Sequence, residues 1–216
     1  QGIEGPQFRM LLEKLKVLDI QTQFAPLERL NSITRSNHQG VIAFIANVDY
    51  ITIDEMMRIA ESKGKSPLIV ILDGVSDVRN FGAIARSAEC AGADGIIVPA
   101  KGSAAVNADS VKTSAGALLR IPVSKVSNVR EAIFYLKECG YKIVASSEKA
   151  HKTIYEESYK SPVAIILGSE EKGVSQSAIA ISDSQVRIPM AGTIGSLNVS
   201  AAASVILFEI LRQRSV

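Results

Sequence analysis

The chain has 216 residues, 47% of them hydrophobic and 21% charged, with 24 basic against 22 acidic side chains and a net charge of +2. This composition excludes a disordered chain, which combines low hydrophobicity with high net charge, and leaves enough apolar material for one sizeable domain and a smaller one. It also excludes an overall basic field, so any binding of a polyanion has to come from local placement of charge.

The apolar spacing predicts a helix from Phe8 to Leu18, a strand from Ile20 to Phe24, a short helix from Pro26 to Ser32 and, after Gly40, a strand from Val41 to Val48. These elements make up part of a small α/β domain over 1–50. Residues 51–66 follow as a connector, with a helix over Ile53 to Ala60 and a polar tail leading to Pro67. From 67 to 216 the pattern changes to strand–helix alternation. Strands are expected at Leu68–Leu72, Gly95–Val98, Ile121–Val126, Tyr141–Val144 and Val163–Leu167; the first is apolar without interruption, as in a strand buried on both faces. Helices are expected at Asn80–Ala91, Val129–Cys139 and Ser196–Arg214. Asn128 suits the cap of the second of these, and Gly140 its stop. Such alternation argues for a mostly parallel sheet covered by helices.

Three segments carry chemistry, and the first two lie at the carboxyl ends of expected strands, where α/β folds build their sites. The first runs from Leu72 to Arg86 and ends in NFGAIAR. Asn80 suits a helix cap or a site residue, and Arg86 a solvated charge or a site residue. Six positions separate them, about 1.7 turns, so they do not share one helix face. The second is Ile166 to Ser175. Gly168 and Gly173 have phosphate-loop spacing, but Val174 stands where that motif needs lysine, and Glu170 and Glu171 repel a phosphate. A loop with two glycines and a carboxylate suits a ligand with hydroxyls or a positive centre. The third is Ile188 to Ser200, in which Gly192 and Gly195 allow close backbone approach and Ser196 or Asn198 can cap the helix that follows. That helix is apolar on most sides, as buried helices are.

Other classes find little support. Cys90, Cys139, His38 and His151 are too few for a structural zinc site, and no metal is expected. The two thiols read as buried or incidental in a reducing compartment. No apolar run reaches the length of a membrane span; the longest candidate contains Glu209. No secretory signal is visible, so a cytoplasmic location and no membrane partner are expected. No Gly-x-Gly-x-x-Gly run occurs, so the ordinary dinucleotide fingerprint is absent.

Taken in order, Asn80 to Arg86, Leu167 to Glu170 with Gly173, and Ile188 to Met190 with Ser196 to Ser200 resemble the three motifs of the SpoU/TrmH-type RNA ribose 2′-O-methyltransferases of the SPOUT superfamily. The resemblance covers about 67–214 and is nearest to the branch acting on large-subunit ribosomal RNA. It implies an α/β fold whose C-terminal chain forms a deep trefoil knot, S-adenosylmethionine as methyl donor, and a homodimer with a shared active site. It also implies that residues 1–50 are part of a ribosomal-protein-like RNA substrate-binding domain. The chain opens at Gln1 rather than Met, and the first strand and helix of that domain are expected to lie before it.

Carried over residue by residue, the resemblance implies a catalytic pocket of Asn80, Arg86, Glu170, Ser196 and Asn198. Gly168, Ile188 and Leu197 then contact the cofactor, largely through backbone, with Met190 beside them. The family's arginine is usually treated as the base. A guanidinium keeps its proton in proteins, so the role expected of Arg86 is to hold an RNA phosphate and stabilise negative charge near the hydroxyl. Ribosomal RNA is the favoured substrate. Transfer RNA and a noncatalytic RNA-binding role on the same fold are the alternatives, and a nucleotide-dependent transferase is disfavoured by Val174.

Overall fold

The computed structural model describes residues 5–17, 22–43 and 48–215. The chain divides into two compact units, Gln1–Phe44 and Ile45–Val216.

In the first unit, helix α1 spans Pro6–Val17 and α2 spans Leu27–Ile33. Pro6 suits a first helical position because its missing N–H has no partner there to lose. The strands expected at 20–24 and 41–48 are not seen where the chain is described: 22–24, 41–43 and 48 are irregular, and 20–21 and 44–47 lie outside the described residues. A strand needs a neighbour for its backbone groups, and no described residue of this unit supplies one. A tight turn instead leads up to Val41, with Gln39 and Gly40 both at positive φ and Gly40 N donating to His38 Nδ1 at 3.0 Å.

The second unit is built on seven strands: β1 Tyr50–Ile51, β2 Leu68–Asp73, β3 Gly95–Pro99, β4 Val123–Val126, β5 Lys142–Ser146, β6 Val163–Gly168 and β7 Ser184–Val186. Their order across the sheet is β1-β4-β3-β2-β6-β5-β7, and every ladder is parallel. Helices α3 Ile53–Ser62, α4 Val78–Cys90, α5 Ala108–Thr113, α6 Val129–Glu138, α7 Gln176–Ile179 and α8 Val199–Arg214 connect and cover it. Side chains alternate across the pleat. Leu68, Val70 and Leu72 meet α4 and α8 on one face, while Ile69 and Ile71 meet α3, α6 and α7 on the other. Residues Leu68 to Leu72 are all buried, as their unbroken apolar run predicts. Asn128 caps α6 by accepting from Arg130 N at 2.9 Å, and Gly140 follows its end at φ 80.

Two expectations need correction. The helix expected as a connector, now α3, is packed into the core of the second unit through Met56, Met57 and Ala60. Helix α8 is not buried on all sides: Ala203, Ile206, Leu207 and Ile210 face the core, but Phe208 is 49% and Leu211 36% exposed. The thiols of Cys90 and Cys139 are free and exposed near helix ends, which leaves the incidental reading for both.

Two polar clusters pin the ends of the sheet. Buried Glu157, in the long connection from β5 to β6, pairs with Lys142 and with Lys152 at 3.1 Å, and accepts from Ser184 Oγ. Arg214 donates to four carbonyl oxygens: Ser66 at 2.6 Å, Pro67 at 3.1 Å, Tyr159 at 2.8 Å and Ser161 at 3.0 Å.

Candidate active site

The six-pair ladder between β2 and β6 sets Asp73 opposite Gly168, so the first two motif segments leave the sheet side by side. Asp73 Oδ2 accepts from Ser175 N at 2.8 Å and ties the far end of the second segment back to β2. Between them the chain folds sharply: Gly173 N donates to Ser169 O at 2.9 Å, and Gly173 itself takes φ 65. Gly168 is the position this turn requires. A Cβ there would overlap the backbone of Gly173 and Val174, so only glycine lets the loop close on its own strand.

Asn198 brings all three segments together. Its Oδ1 accepts from Ser200 N at 2.9 Å, Ser200 Oγ at 2.6 Å and Ala201 N at 3.4 Å, which makes it the cap of α8. Its Nδ2 donates in the other direction, to Asn80 Oδ1 at 3.0 Å and to Glu170 Oε1. Of the two cap candidates in the third segment, Asn198 takes the role and Ser196 is left exposed. Asn80 is not a cap at all. Asp77 caps α4 by accepting from Arg79 N at 2.9 Å and Asn80 N at 2.8 Å, which frees the Asn80 side chain for Asn198. A single amide thus orients a carboxylate and a second amide.

Beside this bridge lies a cleft of about 250 Å³, bounded by the carboxyl ends of β5 and β6 and by the 187–197 segment. Gly168, Ile188, Met190 and Leu197, expected at the cofactor, line it together with Glu170 and Ser196, expected in the catalytic pocket. Ser147, Glu148, Lys149 and Arg187 also line it and were missed. The first three follow β5, a strand whose loop carries no motif, so only the sheet order reveals them. The residues fit a nucleoside-type methyl donor. Ile188, Met190 and Leu197 make no backbone hydrogen bond among the described residues, which leaves amide and carbonyl groups free to read the edge of a heterocycle.

Arg86 stands apart from this cluster. It lies on the exposed side of α4 and forms no hydrogen bond or ion pair among the described residues. Its angular offset from Asn80 on α4 explains the separation. Among the described residues no group of three or more His, Cys, Asp or Glu side chains is placed to hold a metal ion. No described helix is long and apolar enough to cross a membrane.

Comparison with known proteins shows which family the chain belongs to. A sequence model of the SpoU rRNA methylase family matches residues 67–208, and one of the RNA 2′-O ribose methyltransferase substrate-binding domain matches 1–51. A protein of Staphylococcus haemolyticus described as a TrmH family tRNA/rRNA methyltransferase is 36% identical over 99% of this chain and 86% of its own. Among solved structures, the SpoU methyltransferase AviRb from Streptomyces viridochromogenes in complex with AdoMet is 30% identical over 70% of this chain, with a TM-score of 0.66. An AdoMet-bound rRNA methyltransferase from Sinorhizobium meliloti is 29% identical over 76%, with a TM-score of 0.68. The match spans 62% and 61% of those two structures' own chains.

Proposed function

Because the chain belongs to the SpoU rRNA methylase family of S-adenosylmethionine-dependent RNA methyltransferases, we propose that it methylates a ribose 2′-hydroxyl, with ribosomal RNA as the preferred substrate over transfer RNA. The observation that carries this reading is the Asn198 bridge, which orients Asn80 and Glu170 beside the cleft closed by Gly168.

S-adenosylmethionine supplies a methyl group already activated by its sulfonium. The protein's own task is to place the hydroxyl in line with that methyl and to stabilise negative charge on the oxygen as its proton leaves. Gly168, Ile188, Met190 and Leu197 hold the donor, mainly by backbone. Asn80, Glu170, Ser196 and Asn198 surround the hydroxyl, and Glu170 keeps Oε2 free to accept a hydrogen bond. Arg86, with no carboxylate partner among the described residues, supplies a full positive charge for an RNA phosphate and the developing alkoxide.

The separation of Arg86 from the bridge supports a site completed across a homodimer, and the apolar pair Phe208 and Leu211 on α8 supplies surface for it. Residues 1–50 form the RNA substrate-binding part. The knot implied for the C-terminal chain belongs to the same reading; in its support, the chain leaves edge strand β7, crosses the cleft and enters α8, packed on α4.

Two experiments test the proposal. Mapping of ribose methylation by mass spectrometry, in cells lacking the protein, reveals one missing mark in large-subunit ribosomal RNA; a missing mark in transfer RNA instead refutes the substrate preference. Arg86→Ala lowers methyl transfer at least ~100-fold, typical for one electrostatic donor, and leaves cofactor affinity near wild type. Full activity in that variant removes Arg86 from the mechanism.

A further inference from the structure

The exposed face of α4 carries cations that no contact among the described residues explains. Arg79 and Arg86 are seven residues apart, about two turns and roughly 10 Å along the axis, so both side chains leave the helix on the same side. Lys112 of α5 lines one groove with Arg79, together with Asp77, Asp109 and Thr113. Arg79 and Lys112 are exposed, and neither side chain forms a hydrogen bond or ion pair among the described residues.

Arg79 also stands where helix electrostatics disfavour it. It is the second residue of α4, whose first turn contains no acid, and the positive end of the helix dipole favours an anion there. Asp77 is already engaged, since its Oδ1 accepts from two backbone amides of that turn. A local rule broken with no partner inside the fold marks a position kept for something outside it. The next residue along is Asn80, which the Asn198 bridge holds in the ribose site.

We propose that Arg79 and Lys112 form a second phosphate seat for the RNA strand, flanking the ribose site through the neighbouring Asn80, with Arg79 a positioning residue that sets the strand's register. This rests on the RNA methyltransferase reading above. Asp77 and Asp109 in the same groove balance its two cations, so the strand is held by two point contacts rather than a broad field.

The test compares wild type, Arg79→Gln, Arg79→Glu, Lys112→Gln and the control Lys160→Gln, which removes a charge just before the amino end of β6. The probe is an in vitro transcript of bacterial large-subunit ribosomal RNA, titrated over a range of salt. Arg79→Gln and Lys112→Gln each flatten the slope of log affinity against log salt by roughly 0.7 to 0.9. They raise KM for RNA while kcat and S-adenosylmethionine affinity hold. Arg79→Glu weakens RNA binding further, yet its thermal midpoint is no lower than wild type, because an acid suits that helix turn. Unchanged salt slopes in the Arg79 and Lys112 variants, or an equal loss in Lys160→Gln, overturn the proposal while wild type still binds RNA. Failure of wild type to bind RNA overturns the underlying reading as well.

Discussion

Asn198 does two jobs with two ends of one amide, and substitution can separate them. Its oxygen caps α8, a contribution of about 1 kcal/mol, and its nitrogen bridges Asn80 and Glu170. Asn198→Ala removes both. Because the site is exposed, Asn80 and Glu170 regain water, and the total cost in stability is about 1–2 kcal/mol. Asn198→Asp keeps the cap, since a carboxylate at a helix N-terminus accepts the same amide protons and favours the dipole. It also deletes the donor and sets a second negative charge against Glu170. Stability therefore stays within about 1 kcal/mol of wild type, while methyl transfer falls about 100-fold through lost positioning. Adding Glu170→Gln to Asn198→Asp restores a donor–acceptor pair with its polarity reversed. The double variant recovers part of the activity, with a coupling of about 1–2 kcal/mol in the cycle. Urea denaturation reads the stability, and transfer of a tritiated methyl group to RNA reads the activity. Full activity in Asn198→Asp, or no coupling in the double variant, refutes the bridge as a working part of the site.

The loop at Gly168 gives a second expectation: the Cβ of Gly168→Ala forces the backbone at Gly173 and Val174 to move, at a cost of about 1–3 kcal/mol and with loss of S-adenosylmethionine binding by calorimetry. Unaltered binding in that variant separates the loop from the cofactor. Acid stability gives a third. Burial alone raises the Glu157 carboxyl, but hydrogen bonds from Lys142, Ser184 and Lys152 outweigh it and hold the group at about 2. The ion cluster's contribution is therefore complete above the unfolded value near 4.5 and is lost as pH falls from there through about 2. Glu157→Gln costs about 2–3 kcal/mol at neutral pH, and its deficit shrinks across that acid window in denaturant titrations; a constant deficit contradicts the assignment. Assembly gives a fourth: sedimentation equilibrium finds wild type at twice the 23.1 kDa chain mass at micromolar concentration, and Phe208→Glu yields monomer or insoluble protein. A monomeric wild type rejects the dimer.

The elements legible in the sequence are those long enough to show a hydrophobic period. Strands β2, β3, β5 and β6 and helices α4, α6 and α8 fall within about three residues of expectation. Those missed are short: β1, α5, α7, β7 and a 3-10 turn at Ala117–Leu119. In α5 only Ser110 is buried, so no apolar stripe exists to be read; its signal is the capping pair of Asn107 and Ser110, each accepting from the other's backbone amide. Edge strand β7 buries only Val186. In the candidate site, residue identity marked Asn80, Glu170 and Asn198, but which of them caps a helix depended on Asp77, a competitor three residues upstream of Asn80. Helix α3 packs on the opposite face of the sheet from α8 and leaves its outer side uncovered. Residue spacing along one helix cannot say which side of a sheet another helix takes.

Arg214 has a consequence for how the molecule is made. Its guanidinium holds the carbonyls that precede β2 and β6, and the link to Ser66 spans 148 positions. During synthesis the two central strands leave the ribosome long before the residue that fastens their starts has been added. The unit is therefore finished after translation of nearly its whole length, and a nascent chain stalled short of Arg214 exposes apolar strands without their latch. Such long-range closure is slow, because the entropy of closing the chain is lost before the non-local contacts repay it.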